Sequence, residues 1–492
     1  MMGQPRRFAA TEPRRQLRSN CFSSTGIDMR RSFSLRFLTC LVASFATAAV
    51  LDARAQSVAD EPRVINPNGG WSWFGDERAV IDAQRGVLYV GSLANQRGAG
   101  GVDRDGDVDV TRVDLATGET TIDVLHHGLT SYGAGDDHNV ASLLVLPNGR
   151  VLAAYTGHNN DARTFFRTFD PQSKSWDDER VFDWDAAIPG GSSFACTYNN
   201  LFLLPSDGAI VNISRNHNRC PNVIVSADGG QSWRYAGQLL SPAAVEGERG
   251  SYVNGYLKYA GRGDRIDLLA TERHPRNYSN SLYHGYLEGG QLHRADGTVV
   301  DEQLDGDATA TAVDLTPVFK SGAVVDGVTM NHAWMIDFES YPAGVLATVF
   351  KTRAAGSVED HRFFYAAYRD GRWQAWPLAK AGPRLFDREE DYTGLAALDP
   401  NTPDTVYIST PINPESGETT PHHELYRGQS SDGGQTWQWR AVTQNSAADN
   451  FRPIIPRWQI GRTALLWNRG TMRSSQNYDQ QVMLLIDPAG EE

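Results

Sequence analysis

Two copies of one eight-residue pattern, Ser-x-Asp-x-Gly-x-x-Trp, constrain the fold more than any other feature of the chain. They occupy residues 226–233 and 430–437. In each copy the aspartate, Asp228 or Asp432, can accept backbone N–H groups inside a tight turn, and the glycines supply the positive φ that a reversing chain needs. The tryptophan is expected to pack on the base of the hairpin and tie the turn to its own repeat. A hairpin that recurs within one chain indicates a fold built from repeated β units.

Short apolar runs separated by turn dipeptides fill most of the chain after residue 56. The runs include residues 87–90, 143–146 and 151–155, and the turns include Asn148-Gly149, Asp207-Gly208 and Asp370-Gly371. Short strands at regular spacing with hairpin signals predict an all-β fold. No linker divides residues 56–492, so we expect one domain.

The repeated pattern resembles the Asp box of BNR repeats in sialidase-like β-propellers. A blade of four antiparallel strands takes about sixty residues, so residues 56–492 suit a propeller of about seven blades, with six or eight as alternatives. Asp228 and Asp432 are 204 residues apart, which fits a whole number of such blades. By this resemblance the two turns lie away from the active face, so they predict architecture and not chemistry.

The N-terminal segment has the features of a signal peptide. Met29-Arg30-Arg31 is a basic start, residues 37–50 form an apolar core, and Ala53-Arg54-Ala55 is a small-x-small cleavage site. This pattern predicts a signal peptide over residues 29–55, cleaved between Ala55 and Gln56. The apolar core is too short to favour a membrane anchor. The protein is therefore expected to be secreted or periplasmic.

Charge restricts the partners of the exported protein. Residues 1–28 are rich in arginine and irregular, and we interpret them as a misassigned upstream start. Residues 1–55 together hold nine arginines and three acids, so their removal takes the formal net charge from −13 to −19. Such an acidic protein is not expected to bind nucleic acid or an anionic membrane surface. We expect a monomer.

Two cysteines, Cys196 and Cys220, remain after residue 55. In an oxidising compartment they could form one disulfide between neighbouring strands, or they could stay as half-buried thiols. No CxxC or Cys/His spacing typical of a metal site is present.

Polar residues with chemical potential flank two successive predicted hairpins. His138 precedes the strand at 141–146 and His158 follows the strand at 151–155. Because the start of one strand and the end of its antiparallel partner lie at the same end of a blade, both histidines are expected on one rim. Tyr198 and Arg215 flank the next hairpin in the same way. His274 is the fifth member of this candidate set.

An imidazole, a phenol and a guanidinium brought together suit β-elimination on a uronic acid. The reaction needs a base to remove the C5 proton and an acid to protonate the departing C4 oxygen. It also needs a cation that neutralises the carboxylate and stabilises the developing enolate. Histidine and tyrosine suit the proton transfers, and arginine can pair with the carboxylate in a bidentate manner.

Most of the chain from Gly69 to Trp467 resembles the BNR-4 repeat family, which includes the seven-bladed ulvan lyases of polysaccharide lyase families 24 and 25. The stretches that carry the resemblance are Asp136-Asp137-His138-Asn139, His158, Tyr198, the Arg215 strand, His274-Pro275-Arg276, Asn280-Ser281-Leu282-Tyr283-His284, Asp391-Tyr392-Thr393-Gly394 and residues 423–428.

The resemblance implies a role for each matching residue. His138 would be the Brønsted base, and in some members also the acid, while Tyr198 would be its partner in proton transfer. Arg215 would neutralise the uronate carboxylate. The substrate-binding residues would be His158, Arg219, His274, Arg276 and Tyr283. The implied substrate is an anionic, ulvan-like polysaccharide, and no cofactor is required.

The chain departs from the family pattern at two places. Val140-Ala141-Ser142 follows His138-Asn139 where a small residue and proline are usual. The arginine strand reads Arg215-Asn216-His217-Asn218-Arg219 in place of Arg-Gly-x-Asn-Trp, so Arg219 could compete with Arg215 for the carboxylate. A substrate of this kind also requires a locally positive cleft, to which Arg273 and Arg276 would contribute.

Two other functions fit the same composition. A sialidase-like glycoside hydrolase would gather three arginines on a carboxylate, and Phe451-Arg452-Pro453-Ile454 superficially resembles its arginine motif, although the position is far from the first blade. A non-catalytic carbohydrate-binding propeller would need aromatic platforms but no base and acid. Separately, the acidic run with Asp103, Asp105 and Asp107 could hold a structural Ca²⁺, although a solvated acidic turn is the simpler interpretation.

Overall fold

A computed structural model describes residues 61–160, 162–188, 196–242, 255–275, 278–306, 308–387 and 389–488. Within these ranges the chain forms a seven-bladed β-propeller whose blades are antiparallel sheets built on four strands. This confirms the predicted all-β class and blade number. The segments 1–28 and 29–55, interpreted as an upstream start and a signal peptide, lie outside the described residues.

The first half of the described chain contains one separate strand and three blades. Strand β1 (Arg63–Asn66) comes first. Blade 1 contains β2 (Ala79–Asp82), β3 (Val87–Leu93), β4 (Val108–Asp114) and β5 (Thr120–His126). A two-stranded hairpin follows, β6 (Thr130–Ser131) and β7 (Ala134–Gly135). Blade 2 contains β8 (Ser142–Val145), β9 (Val151–Tyr155) and β10 (Arg163–Asp170), with β11 (Ser175–Trp176) and β12 (Arg180–Asp183) both paired to β10. Blade 3 contains β13 (Leu201–Leu203), β14 (Ile210–Arg215), β15 (Pro221–Ser226) and β16 (Arg234–Gln238).

The second half contains four blades. Blade 4 contains β17 (Leu257–Arg262), β18 (Arg265–Ala270), β19 (Leu282–Glu288), β20 (Gln291–Arg294), β21 (Val299–Asp301) and β22 (Thr316–Phe319). Blade 5 contains β23 (Ala323–Val325), β24 (Val328–Ser340), β25 (Leu346–Ala354), β26 (His361–Arg369) and β27 (Arg372–Gly382). Blade 6 contains β28 (Ala396–Asp399), β29 (Thr402–Ile412), β30 (Thr419–Gln429) and β31 (Gln438–Ala441). Blade 7 contains β32 (Asp449–Ile454), β33 (Arg462–Ser474) and β34 (Asn477–Pro488), and β1 completes it by pairing with β34.

Helices are short in the part of the chain that the structure describes. The single α-helical turn is α1 (Trp184–Ala187), and the 3₁₀ turns are Gly101–Arg104, Asp137–Asn139, His217–Arg219, Ala312–Asp314 and Pro342–Gly344. None of the helices in the described ranges has the length and apolar character needed to cross a bilayer.

The two ends of the blades differ in what they carry. In blades 2, 3 and 4 the segment that enters the first strand and the segment that leaves the second strand meet at one end, because these strands are antiparallel. We call this end the entry face. Strand β15 leads away from it, so the turn after Ser226 lies at the opposite end.

The two repeated motifs form the same turn. The carboxylate of Asp228 accepts the backbone N–H groups of Gln231 and Ser232 at 3.0 and 2.9 Å. Asp432 makes the equivalent bonds at the same two distances. Both glycines of each motif have positive φ, between 73° and 98°.

The tryptophans of the motifs pack differently from the prediction. Trp233 stacks on Phe166 of blade 2 with ring centroids 4.5 Å apart, and Trp437 contacts Tyr365 of blade 5 at 5.2 Å. Each tryptophan therefore ties its turn to the preceding blade rather than only to its own. The physical reason is that each indole finds an aromatic ring of the neighbouring blade at a distance where ring pairs are favourable.

The two cysteines remain thiols. Cys196 and Cys220 are both buried and do not form a disulfide. Thr197 pairs with Arg215, and Arg215 pairs with Pro221, so the end of β14 separates the two cysteine-bearing segments. They are therefore not on neighbouring strands, and burial raises the pKa of the Cys220 thiol to about 12.

Candidate active site

The centre of the candidate site is a 3₁₀ turn that presents His138 at the entry face. Asp136 caps this turn (Asp137–Asn139) by accepting the backbone N–H of His138 at 3.1 Å. The same carboxylate oxygen contacts Nδ1 of His138 at 2.6 Å. The other oxygen contacts Nδ1 of His158 at 2.9 Å, and Gln476 donates its amide to that oxygen at 2.6 Å. Asp136 is fully buried, so its charge faces the two rings rather than water.

The two imidazoles stack on each other. Their centroids are 4.1 Å apart and the planes differ by 14°. Asn159 donates its amide to Nε2 of His158 at 2.7 Å, which matches a neutral ring that carries its proton on Nδ1. Nδ1 of His138 also contacts carboxylates, those of Asp136 and Asp137. Its Nε2 is therefore the nitrogen available for proton transfer.

The neighbouring charges give the two histidines different pKa values. Burial opposes protonation of His138, but the carboxylates of Asp136 and Asp137 overcome it and raise the pKa of His138 to about 9. Burial and the neighbouring His138 charge lower the pKa of His158 to about 4, against the pull of Asp136. Burial of Asp136 favours its neutral form, yet the two histidines hold the pKa of its carboxyl well below the usual range. At neutral pH the pair therefore carries one positive charge, which resides on His138.

Arg452 fixes the second carboxylate of the turn. It is 2% exposed and donates to Asp137 and to the backbone carbonyl of Trp71. Asp137 lies 2.7 Å from Nδ1 of His138. Arg452 is thus a buried support for the base and is not positioned as a surface arginine for substrate.

Tyr198 lies beside His138 and beneath Arg215. The ring centroids of Tyr198 and His138 are 5.5 Å apart, and the Arg215 guanidinium carbon lies 4.8 Å from the centroid of Tyr198. Tyr198 has a φ of 58°, a left-handed conformation that is costly for a bulky residue and concentrates at functional sites. Burial raises the pKa of Tyr198 well above its usual value, although Arg215 lowers it, so the phenol is protonated.

An aromatic layer continues the site towards blade 5. The Arg215 guanidinium also lies 5.4 Å from the ring of Tyr256, and Tyr198, Arg215 and Tyr256 line one small pocket. His274 contacts Tyr256 at 5.2 Å and Trp334 at 5.7 Å between centroids, and it is buried. The structure therefore joins His138, His158, Tyr198, Arg215 and His274 in one continuous cluster at the entry face.

The other predicted substrate-binding residues lie around this cluster or apart from it. Arg219 belongs to the 3₁₀ turn after β14, where its N–H donates to the Asn216 carbonyl at 2.6 Å. Tyr283 is buried in blade 4, and its hydroxyl donates to Glu272 at 2.9 Å. Arg276 lies outside the described residues. Arg273, which was expected to add positive charge to the cleft, is 5% exposed.

Several supporting residues were not found from the sequence. Trp73 and Phe74 enter from the segment before blade 1, and Phe74 packs 5.3 Å from Tyr198 and 4.8 Å from Tyr256. Gln476 comes from the turn of blade 7. The glycine- and tryptophan-rich stretch 69–75 is the only local signal that could have pointed to Phe74, and Gln476 has none.

Among the described residues, Asp136, His138 and His158 are the group that could hold a metal ion, since their ligand atoms lie within 4.8 Å of one another. Both imidazoles, however, direct Nδ1 to Asp136 in the geometry of an N–H donor to a carboxylate. We therefore interpret the group as a hydrogen-bonded cluster.

The acidic run proposed for calcium makes internal contacts. Asp105 accepts N–H groups from Gln96 and Gly135, and Asp107 pairs with Arg104 at 2.7 Å. Asp103 is exposed on the 3₁₀ turn Gly101–Arg104. A structural calcium ion at this run stays the less favoured alternative, and it is untested.

Fold and site together define a seven-bladed propeller with a histidine, tyrosine and arginine cluster on one face. The sequence profile of the BNR repeat-containing family matches residues 89–381, more than half of the chain. The chain belongs to this family, which confirms the resemblance drawn from its motifs. A comparison with curated proteins finds no match.

Solved structures with the same fold include polysaccharide lyases. An ulvan lyase of family PL25, bound to -[GlcA(1-4)Rha3S]-, has a TM-score of 0.59 and 13% identity over 88% of this chain and 96% of that chain. A second polysaccharide lyase has a TM-score of 0.52 and 12% identity over 88% of this chain and 100% of that chain. An α-L-arabinofuranosidase from Fusarium graminearum has a TM-score of 0.41 and 12% identity over 70% of this chain and 92% of that chain. At these identities the likeness to the two lyases shows the fold alone.

Proposed function

We propose that the protein is a polysaccharide lyase that cleaves a uronic-acid-containing, ulvan-like polymer by β-elimination. The observation that carries the proposal is the position of Tyr198 between two other side chains. The ring centroids of Tyr198 and His138 are 5.5 Å apart, and the Arg215 guanidinium carbon lies 4.8 Å from the centroid of Tyr198. A base, an acid and a carboxylate-binding cation thus lie within reach of one sugar ring.

In the proposed reaction Arg215 pairs with the uronate carboxylate and acidifies the C5 proton. Nε2 of neutral His138 removes this proton. The electron pair forms the C4–C5 double bond as the C4–O bond breaks, and Tyr198 donates its phenolic proton to the leaving oxygen. The proton on His138 then returns to the tyrosine, so the site is restored without an external acid or a cofactor.

The neighbouring carboxylates favour elimination over hydrolysis. A glycoside hydrolase needs one carboxyl that is protonated at rest and a second that is ionised. Asp136 and Asp137 are both buried, and the pKa values of both carboxyls are lowered, by His138 and His158 for Asp136 and mainly by Arg452 and His138 for Asp137, against the effect of burial. Neither is suited to be the general acid. Arg452, the candidate for binding a substrate carboxylate in the sialidase-like alternative, is paired with Asp137 instead.

The structural neighbours support the same reaction class. The PL25 protein is an ulvan lyase and was solved with a glucuronate-containing sulfated fragment. We infer an anionic polysaccharide as substrate for this chain, a function as a monomer, and export by the signal peptide at 29–55. N-terminal sequencing of the secreted protein, with Gln56 as the expected first residue, tests the export.

Product masses test the reaction. The protein is incubated with ulvan and with a panel of other uronate polymers, and the oligosaccharides are analysed by mass spectrometry. Elimination gives a fragment that lacks the elements of water at its new non-reducing end, whereas hydrolysis adds water across the cleaved bond. Fragments with added water would contradict the proposal and favour a hydrolase. Binding without cleavage would favour a non-catalytic propeller.

A further inference from the structure

The hairpin between blades 1 and 2 ends in an unusual turn. Ser131 pairs with Ala134, which leaves Tyr132 and Gly133 as a two-residue loop, and their φ values are 55° and 83°. Positive φ at both positions is typical of a type I′ turn, which strongly favours Asn-Gly, Asp-Gly or Gly-Gly. A tyrosine at the first position is costly, because it is bulky and lacks the short polar side chain with which Asn and Asp tolerate positive φ.

The same chain uses the favoured residues at its other turns of this kind. Among the described residues, the loops Asp326-Gly327, Asp370-Gly371 and Gly289-Gly290 each join two paired strands and have positive φ at both positions. The chain therefore has Asp or Gly where only the turn matters. Tyr132 is the exception, which indicates a reason other than turn formation.

Tyr132 is also exposed. Its exposed fraction is 71%, and among the phenylalanine, tyrosine and tryptophan side chains that the structure describes it is the one that is exposed. The ring is therefore accessible to a ligand.

The exposed ring is held beside the stacked pair of histidines, His138 and His158. Its centroid lies 5.9 Å from that of His158, and its hydroxyl accepts the Asn159 amide at 3.0 Å. Asn139 fixes the base of the hairpin, since its side chain donates to the Leu129 carbonyl at 2.8 Å and accepts from Ser131 and from the His158 N–H. These contacts fix the position of the Tyr132 ring relative to His138 and His158.

We propose that Tyr132 forms an aromatic subsite that stacks on the pyranose ring next to the uronate being cleaved. This subsite rests on the proposed function. The C–H-rich face of a sugar is apolar and suits an aromatic face. The subsite therefore places the sugar that neighbours the uronate beside His158.

Substitution of Tyr132 by the residue that the turn prefers gives a sharp test. Tyr132→Asn should keep or raise the melting temperature, because Asn-Gly suits the turn. It should raise KM for ulvan by about tenfold with kcat little changed, since binding common to ground state and transition state is lost. Tyr132→Phe keeps the ring and should retain the wild-type KM. Asp370→Tyr, which creates the same costly turn at the opposite face, should lower the melting temperature and leave KM unchanged.

Calorimetry with a short glucuronate-containing ulvan oligosaccharide separates the subsite from the reaction. The titration uses the Tyr198→Phe protein with and without Tyr132→Asn, so that turnover does not interfere. Weaker binding by the double variant supports the subsite even if the wild type produces no unsaturated sugar, an outcome that would refute the lyase alone. Equal binding, or a Tyr132→Asn protein that is less stable with normal KM, would overturn the subsite.

Discussion

His138 and His158 stack at 4.1 Å and both present Nδ1 to the same carboxylate, that of Asp136. Two cations cannot share such a buried position at low cost, so the pair carries one positive charge at neutral pH. His138 carries it because it also contacts Asp137. The resting protein therefore has its candidate base in the protonated form, and this has consequences that can be measured.

Activity is expected to rise with pH. His138 acts as a base only when neutral, and its pKa is raised to about 9, so kcat/KM should increase tenfold per pH unit below that value and level off near it. Initial rates of elimination between pH 6 and about 10 test this. A rate that falls as pH rises through 9 would instead assign the essential proton of His138 to the acid role.

Stability is expected to be greatest near the ordinary histidine pKa of 6.5. The raised pKa of His138 contributes stability that is fully present below 6.5 and is lost as pH rises through about 9. The lowered pKa of His158 has the opposite sign, so stability is lost as pH falls from 6.5 through about 4. Between pH 6.5 and about 9 the melting temperature of His138→Ala should fall less steeply with pH than that of the wild type. The same slope in both proteins would argue against the raised pKa of His138.

Tyr198→Phe should lower kcat by about 100-fold or more, because the leaving oxygen then lacks its proton donor. KM should change little, since the ring remains under Arg215. Tyr256→Phe is the matched control, because it removes a phenol from the second ring beside the same guanidinium. Equal losses in the two variants would show that packing, and not proton donation, explains the effect.

Arg215→Lys should lower kcat/KM by about 100-fold, because an ammonium cannot pair with the carboxylate in a bidentate manner as the enolate develops. Arg219→Lys, four residues further along, should have a much smaller effect. A larger loss for Arg219→Lys would transfer the carboxylate role to that residue, the alternative that the sequence left open.

The sequence predicted the pairs within each hairpin but not the contacts between distant segments. His138 and His158 flank one hairpin, and Tyr198 and Arg215 flank the next, so strand pairing alone places each pair at one end. Arg452 reaches Asp137 across 315 residues because β1 and blade 7 close the ring. No local pattern records such closure.

The tryptophans of the motifs show the same limit. The turn geometry of Asp228 follows from residues that are neighbours in the chain, and it was predicted. The contact of Trp233 with Phe166 depends on how blade 3 sits against blade 2, so it could not be read from either segment.

The most direct test of β-elimination is ultraviolet absorbance of the purified protein incubated with ulvan, beside His138→Ala. If His138 is the base, absorbance from an unsaturated uronate grows with the wild type and is absent with the variant, while both proteins fold and bind the polymer. New reducing ends without this absorbance, or equal absorbance from His138→Ala, would contradict β-elimination with His138 as the base.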